Sequence, residues 1–468
     1  MSAAVREPPG WRRWAGAAVI AFAAAFVVLW LRSTSAWWFE DDPLQFAAAA
    51  SISHPVSIFI DPGILGRWGT GASLVPMQVL SYWFDTHAFG ISPAAARLHD
   101  TVATIASAWL LFFVLARAGA GTWVSAAAAA LWLCLPATIA VHEFTSARHY
   151  MEALAASLLA IAILQGICRR ASSEPAAART VLFFVVAALA MLFKEIGVAS
   201  VAGFSIPYAA FHRRYKTAAG VALLVLAYFA YRRALLGPAA TYPVPLVSLR
   251  EYIRAVGHLP FTFAASWTGW VLCALLVAAA VLALVREPGP AAKACLLFAG
   301  LFAAGLAATY PTAPAILMTY RTPGTWYRTV FLPSTLVLVA CAYLIGRFAP
   351  RGVPIVALVV LAALLLPAAA RTRAYWQARL ARSEAEGRFY LAHPDRLVYS
   401  EEDADWFLTG LDRLYGTPRG HFISKNHRSG PDARTMLGGF PTFWRYRDGA
   451  WVEDPVLYAT LSLENSGL

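Results

Sequence analysis

The chain has 468 residues, of which 59% are hydrophobic and only 14% charged, with a formal net charge of +12. A soluble globular domain carries about a quarter charged residues, so this composition excludes an ordinary soluble protein. The positive charge does not mark a nucleic-acid partner, because the mostly Arg cations fall between apolar runs and form no single basic patch.

The N-terminal segment carries Arg6, Arg12 and Arg13 ahead of an apolar stretch from Trp14 to Leu31, with Thr34-Ser35-Ala36 as a passable cleavage site. The apolar stretch is long for a signal peptide, so an uncleaved first span is predicted. A span needs roughly 20 apolar residues to cross about 30 Å of hydrocarbon. Eleven candidates follow: 14–32, 99–117, 121–141, 150–168, 179–193, 196–212, 217–236, 265–286, 293–310, 328–347 and 352–370. The fifth and sixth are short and share the charged pair Lys194-Glu195, so they read either as two spans or as an irregular pair. With a cytoplasmic N-terminus, the short inner loops hold Arg117; Arg169, Arg170 and Arg179; Arg213, Arg214 and Lys216; Arg286 and Lys293; and Arg347 and Arg351. That distribution obeys the positive-inside rule. An odd number of spans then places the C-terminus outside.

Three predicted outer segments are long: 33–98, 237–264 and the polar tail 371–468. The first holds interfacial aromatic patches, Trp37-Trp38-Phe39 and Leu80–Phe84. The tail is large enough for a small mixed α/β domain, with strand-like patches at Arg396–Ser400 and Phe440–Tyr446. Its aromatic residues, among them Trp376, Tyr390, Trp406, Tyr415, Trp444, Tyr446 and Trp451, suit either a domain core or sugar stacking. The expected domains are therefore a membrane bundle over 1–370 and an extracytoplasmic domain over 371–468. Cys134, Cys168, Cys273, Cys295 and Cys341 all lie in or beside apolar runs, which gives no disulfide framework and no zinc pattern.

Four polar signals interrupt this apolar background. Glu40-Asp41-Asp42 follows the first span among Trp37, Trp38 and Phe39. Crowded carboxylates beside apolar surface suit a general base that deprotonates an acceptor hydroxyl; the plainer reading is a solvated acidic loop at the membrane boundary. His142-Glu143, with Ser146, Arg148 and His149, sits between the third and fourth spans. Arg148 offers a donor fork that fits phosphate oxygens, or the segment is a polar turn that satisfies helix ends. A metal held by His142, Glu143 and His149 does not match a known ligand spacing. Lys194-Glu195 lies inside an apolar stretch, where ionisable groups are expensive and mark function, or forms a structural ion pair at a hinge. Arg321 and Arg328 stand near the tenth span and suit phosphate binding or interfacial snorkelling. The Gly66–Gly71 run lacks the Lys-Ser/Thr ending of a phosphate loop, and neither GxSxG nor HExxH occurs.

The order of these signals resembles the membrane region of the GT-C glycosyltransferase superfamily. An acidic pair follows the first span, and a long loop runs through Pro76 and Phe89-Gly90 to Leu98-His99. Pro136 and Ser146-Ala147-Arg148 come next, then Phe193-Lys194-Glu195 with Gly197, and finally Arg328 before Phe331-Leu332-Pro333-Ser334. The resemblance covers roughly residues 10–370 and is nearest the protein O-mannosyltransferase-like branch, including members that carry tetratricopeptide repeats. It implies a GT-C-like bundle of about eleven transmembrane helices with a long first outer loop. It also implies a polyprenyl-phosphate sugar donor and an acidic catalytic residue in that loop. By resemblance, Asp41 or Asp42 is the catalytic carboxylate, with Asp41 favoured. Arg148, Lys194 and Arg328 meet the donor phosphate, and Glu195 orients Lys194. Glu40, His142, Glu143 and Arg321 are additional candidates. A metal is not required if Arg and Lys supply the charge, but some members of the superfamily use a divalent metal, so both readings stay open. The tail departs from the repeat-bearing relatives, for it shows no repeat of about 34 residues, so the acceptor is left open between a protein and an envelope glycan.

The implied reaction is transfer of a sugar to an acceptor hydroxyl at the outer membrane face, with inversion. The Arg-rich composition suggests a bacterial cytoplasmic membrane. Two other classes fit the composition. A lipid or solute transporter is disfavoured because no inverted repeat and few Gly/Pro-broken helix pairs stand out. A non-catalytic assembly protein would place the working part in the tail.

Overall fold

The computed structural model describes residues 11–31, 37–66, 74–169, 177–237, 248–263, 268–309, 325–350, 352–400, 405–416, 421–424, 433, 436–437, 439–447 and 449–465. They form a mostly helical protein that packs as two units. Unit one comprises Met1–Ser33, Val56–Val79 and Leu98–Trp376; unit two comprises Thr34–Pro55, Leu80–Arg97 and Gln377–Leu468.

In chain order the helices are α1 (Trp11–Ala25, continued as a π-helical turn Phe26–Leu31), α2 (Asp42–Ala50), α3 (Ser57–Ile60), α4 (Pro62–Gly66), α5 (Pro76–Phe89), α6 (Pro93–Ala118), α7 (Thr122–Leu133) and α8 (Pro136–Glu143). There follow α9 (Arg148–Arg169), α10 (Ala177–Phe193), α11 (Glu195–Phe211), α12 (Tyr215–Leu236), α13 (Leu249–Phe263), α14 (Thr268–Arg286) and α15 (Pro288–Thr309). The last are α16 (Phe331–Phe348), α17 (Val353–Ala392), α18 (Asp405–Tyr415) and α19 (Pro455–Asn465).

Seven described helices are long and apolar enough to cross a membrane, and α7 with α8 makes an eighth if the bent pair is one span. Exposed apolar side chains run along these helices: Leu223, Leu226 and Phe229 on α12, and Val277, Val281 and Val285 on α14. A band of that extent needs hydrocarbon around it. The chain is thus a multi-pass membrane protein. The expected eleven spans reduce to seven or eight because the remaining three apolar helices are short. These are Trp14–Val28, Ala177–Phe193 and Glu195–Phe211. At 1.5 Å per residue a 17-residue helix reaches only about 25 Å.

Two breaks in unit one follow from local chemistry. Pro136 disfavours helical geometry in the residue before it, so Leu135 is extended and α7 and α8 meet at 57°. Pro136 then opens α8 from a position where its missing N–H costs nothing. The second break is Lys194, which is fully extended (φ −167°, ψ 154°) between α10 and α11. The turn is so tight that a Cβ at Gly197 would collide with the Ala190 carbonyl, which is why the position is glycine.

Among the described residues, basic side chains expected on inner loops gather at one end of unit one; Arg170 and Arg351 lie outside the described residues. The Arg169 guanidinium donates to the Arg117 carbonyl, Arg286 Nη1 donates to the Phe348 carbonyl (3.2 Å), and Arg347 pairs with Glu287 (3.5 Å). All five cysteines are free thiols.

Unit two contains a small mixed sheet ordered β2-β1-β3-β4, where β1 is Leu397–Ser400, β2 Phe422–Ser424, β3 Phe443–Arg447 and β4 Ala450–Glu453. β1 pairs in parallel with β2 and β3, and β3 pairs antiparallel with β4. The first and third strands are the patches expected from the sequence. Leu397, Tyr399, Ile423, Phe443 and Leu461 of α19 form the core on one face. Asp454 starts α19 by accepting the Leu457 N–H (2.9 Å), with Pro455 next in the chain. The tail aromatics are mixed in role: Tyr390 is buried and donates to Asp412 (2.9 Å), while Trp451 stacks on Phe389 at 3.9 Å. The Trp406 side chain lies outside the described residues.

Candidate functional site

At the end of unit one opposite the Arg169 end, three segments converge on the start of α9. The backbone leaves α8 through an extended Phe144, makes one 3-10 turn over Thr145–Ala147, and enters α9 at Arg148. Gln78 holds this turn from α5, donating to the Ser146 carbonyl (3.3 Å). Lys194 arrives from the α10–α11 break and places Nζ 5.6 Å from the centre of the Tyr150 ring. Arg328 arrives on a 3-10 turn (Thr325–Val330) that precedes α16, and its guanidinium lies 4.7 Å over the Phe144 ring. Tyr150 in turn packs on His149 (4.7 Å) and edge-on to Phe331 (6.2 Å). Arg148, Lys194 and Arg328 all lie within electrostatic reach of the buried His149 imidazole. Lys194 and Arg328 thus stand over aromatic rings of one segment, with Arg148 within electrostatic reach of the same imidazole, an arrangement whose positive field attracts an anion.

The three cations are not equivalent. Arg148 is fully buried and its Nε lies 3.5 Å from the Asp100 carboxylate on α6. Lys194 is largely buried and pairs with Glu195 at 3.3 Å. Arg328 is only half-buried. His142 is buried with Nδ1 3.1 Å from Thr104 Oγ1, and Glu143 is buried beside it in the chain. Arg321 lies outside the described residues.

Asp100 escaped the sequence reading, as did the pair His99–Glu152 (3.4 Å) that also joins α6 to α9. Both carry the same signal that singled out Lys194, a charge inside an apolar helix. Glu152 sits one helical turn beyond Arg148, so the face of α9 that carries the cation was detectable.

Unit two holds the three carboxylates in a turn that opens α2. Glu40 has φ 43°, the left-handed region that costs a residue with a Cβ about 1–2 kcal/mol. Its carboxylate lies 3.4 Å from Arg379, and that guanidinium lies 5.2 Å over Phe39. Asp42 is completely buried; its Oδ2 accepts the Phe39 N–H (3.0 Å) while its own N–H donates to the Phe39 carbonyl (2.9 Å). Asp42 therefore closes the turn. Asp41 is half-buried, and its Oδ2 accepts Gln45 Nε2 at 2.6 Å. Pro43 fixes the first turn of α2, which packs against α18 where Gly410 leaves no room for a Cβ beside the Leu44 backbone. Trp38 anchors the segment, donating to the Tyr415 hydroxyl (3.0 Å) and packing on Phe46 (4.7 Å). Arg379 was not anticipated from the sequence, because nothing local to residues 371–468 distinguishes it from the other arginines of α17.

Among the described residues, no three His, Cys, Asp or Glu side chains come together as a metal would require.

No family model and no curated protein matches the chain. Among solved structures it is similar to ArnT from Cupriavidus metallidurans in the apo state, with 14% identity, 91% of this chain and 88% of that chain covered, and a TM-score of 0.47. It is also similar to ArnT from Cupriavidus metallidurans bound to undecaprenyl phosphate, with 14% identity, coverage of 98% and 96%, and a TM-score of 0.49.

Proposed function

We propose that the protein is a membrane glycosyltransferase that takes a sugar from a polyprenyl-phosphate donor and passes it to an acceptor hydroxyl at the outer membrane face, with inversion. The observation that carries this reading is the convergence of Arg148, Lys194 and Arg328 around His149 and Tyr150 at one end of a bundle of spans. A lipid-linked sugar cannot leave the bilayer, so its phosphate must be met at a span end. The positive-inside rule assigns the opposite, Arg169 end to the cytoplasm, which makes the Arg148 end the outer one.

In this reading Lys194 and Arg328 bind the donor phosphate and stabilise the charge that develops on it as the glycosidic bond breaks. Glu195 fixes the Lys194 ammonium. Arg148, neutralised by Asp100, holds the floor of the site and adds positive field. Asp41 is the general base that takes the acceptor proton as its oxygen attacks the anomeric carbon. Asp42, engaged with the Phe39 backbone, shapes the turn that carries Asp41. The phosphate leaves from the face opposite the attacking oxygen, hence inversion. The order of the motifs favours the protein O-mannosyltransferase-like branch, with a protein or envelope-glycan acceptor. A divalent metal is compatible with this chemistry and is not needed where Lys and Arg supply the charge.

The test is donor-dependent thermal stabilisation of the protein in nanodiscs against a panel of polyprenyl-phosphate sugars, followed by transfer assays. One donor should stabilise the wild type and Asp41→Asn alike, Lys194→Ala should weaken that effect, and Asp41→Asn should transfer no sugar. A folded protein that responds to no donor would end the proposal and favour transport or assembly.

A further inference from the structure

A cavity of about 380 Å³ opens within unit one, among α6, α9, α11, α15 and α16. Its wall is apolar over most of its length, with Leu154, Phe204, Leu301 and Leu336 facing one another. Along α9 the lining runs from Leu154 to Arg169, about 22 Å at the helical rise. At one end the chemistry changes: Arg169, Lys293 and His212 rim the opening together with Tyr208 and Tyr343, and no Asp or Glu is among the lining residues. This rim is at the opposite end of α9 from Arg148 and of α11 from Lys194. Arg169, Lys293 and His212 are exposed. Arg214 also lies within electrostatic reach of the His212 imidazole.

We propose that this cavity binds an anionic membrane phospholipid, with one acyl chain along the apolar wall and the phosphate on Arg169 and Lys293. An apolar cavity whose rim carries Arg169, Lys293 and two tyrosines complements a molecule that joins a long hydrocarbon chain to an anion. Tyrosine at such a rim offers an apolar body to the chain and a hydroxyl to the headgroup. The bound lipid bridges α9, α11 and α15, and would so stiffen the helices that carry Arg148 and Lys194 at their other ends. The site is independent of glycosyl transfer, since neither Arg169 nor Lys293 belongs to the candidate phosphate cluster.

The experiment uses the full chain in detergent, with thermal unfolding followed during titration of phosphatidylglycerol, phosphatidylcholine of the same chains, polyprenyl phosphate, and inorganic phosphate. Phosphatidylglycerol should stabilise the protein most. Lys293→Glu should raise its half-saturating concentration about fivefold, the loss of one charge-assisted contact. Leu297→Trp, which fills the cavity from α15, should abolish the effect while leaving the lipid-free melting temperature near that of the wild type. Equal stabilisation by phosphatidylcholine, an equal effect of inorganic phosphate, a polyprenyl-phosphate effect that Leu297→Trp and Lys293→Glu weaken as much as the phosphatidylglycerol effect, or indifference to both variants would each overturn the proposal. Both variants should bind the sugar donor as the wild type does, so failure here is separable from failure of the transferase reading.

Discussion

Arg148 Nε lies 3.5 Å from the Asp100 carboxylate, and both side chains are almost wholly buried between α6 and α9. Buried ion pairs owe their persistence to mutual neutralisation, and removing one partner leaves a charge without compensation. Asp100→Asn should therefore destabilise the protein by about 3–5 kcal/mol, whereas the double change Asp100→Leu with Arg148→Met should recover most of that loss. Thermal unfolding of the wild type and these two variants in one detergent checks this. Recovery of stability without recovery of donor binding would show that the Arg148 charge serves the ligand as well as the fold.

Asp41 and Asp42 are adjacent in sequence and differ in duty. Asn can accept the Phe39 N–H as Asp42 does, so Asp42→Asn should fold and retain transfer, while Asp42→Ala should lose about 1 kcal/mol or more from the unmade turn bond. Asp41→Asn should unfold with the wild type and transfer nothing. Single-turnover sugar transfer beside thermal unfolding separates the two residues. Full activity in Asp41→Asn would remove it from the chemistry.

Lys194 offers a charge that a longer, forked side chain does not reproduce. Lys194→Ala should weaken donor binding about tenfold, near 1.4 kcal/mol, with Lys194→Arg intermediate. Isothermal titration with the stabilising donor measures both.

Gly197 closes the turn that presents Lys194. Because a Cβ there meets backbone and not a flexible side chain, Gly197→Ala should cost about 1–3 kcal/mol and should also weaken donor binding, since Lys194 moves with the turn. A variant of normal stability and binding would show that the α10–α11 junction yields more easily than its geometry indicates.

Much of the membrane part was legible because hydropathy is a local property. The apolar runs map onto helices and the charged junction at Lys194 occurs where the sequence marks it, whereas the run 121–141, read as one span, is broken at Pro136. Span count was less legible: a 17-residue run such as Ala177–Phe193 has the composition of a span without its full length. Asp100 and Arg379 were missed for a different reason. Each matters through a partner far along the chain, Arg148 for one and Glu40 for the other, and sequence spacing carries no record of which helices will pack. The same holds for unit two, which gathers residues 34–55, 80–97 and 377–468. Two strands of its sheet, β1 and β3, were visible as strand-like patches, but β2, β4 and the pairing of the strands were not.

The bend at Pro136 has a consequence for how the protein enters its membrane. α8 is only 8 residues long, it is buried throughout, and it ends in His142 and Glu143. As it emerges from the ribosome it is too short and too polar to partition into lipid alone. His142 finds Thr104 on the preceding α6, and the Arg328 turn that covers Phe144 is made nearly two hundred residues later in the chain. The half-helix must therefore wait at the membrane boundary, sheltered by α6 and α9, until the C-terminal spans arrive. Truncated chains that stop before α16 lack the Arg328 turn over Phe144 and should leave α8 more open to proteases or modifying reagents than the full chain does.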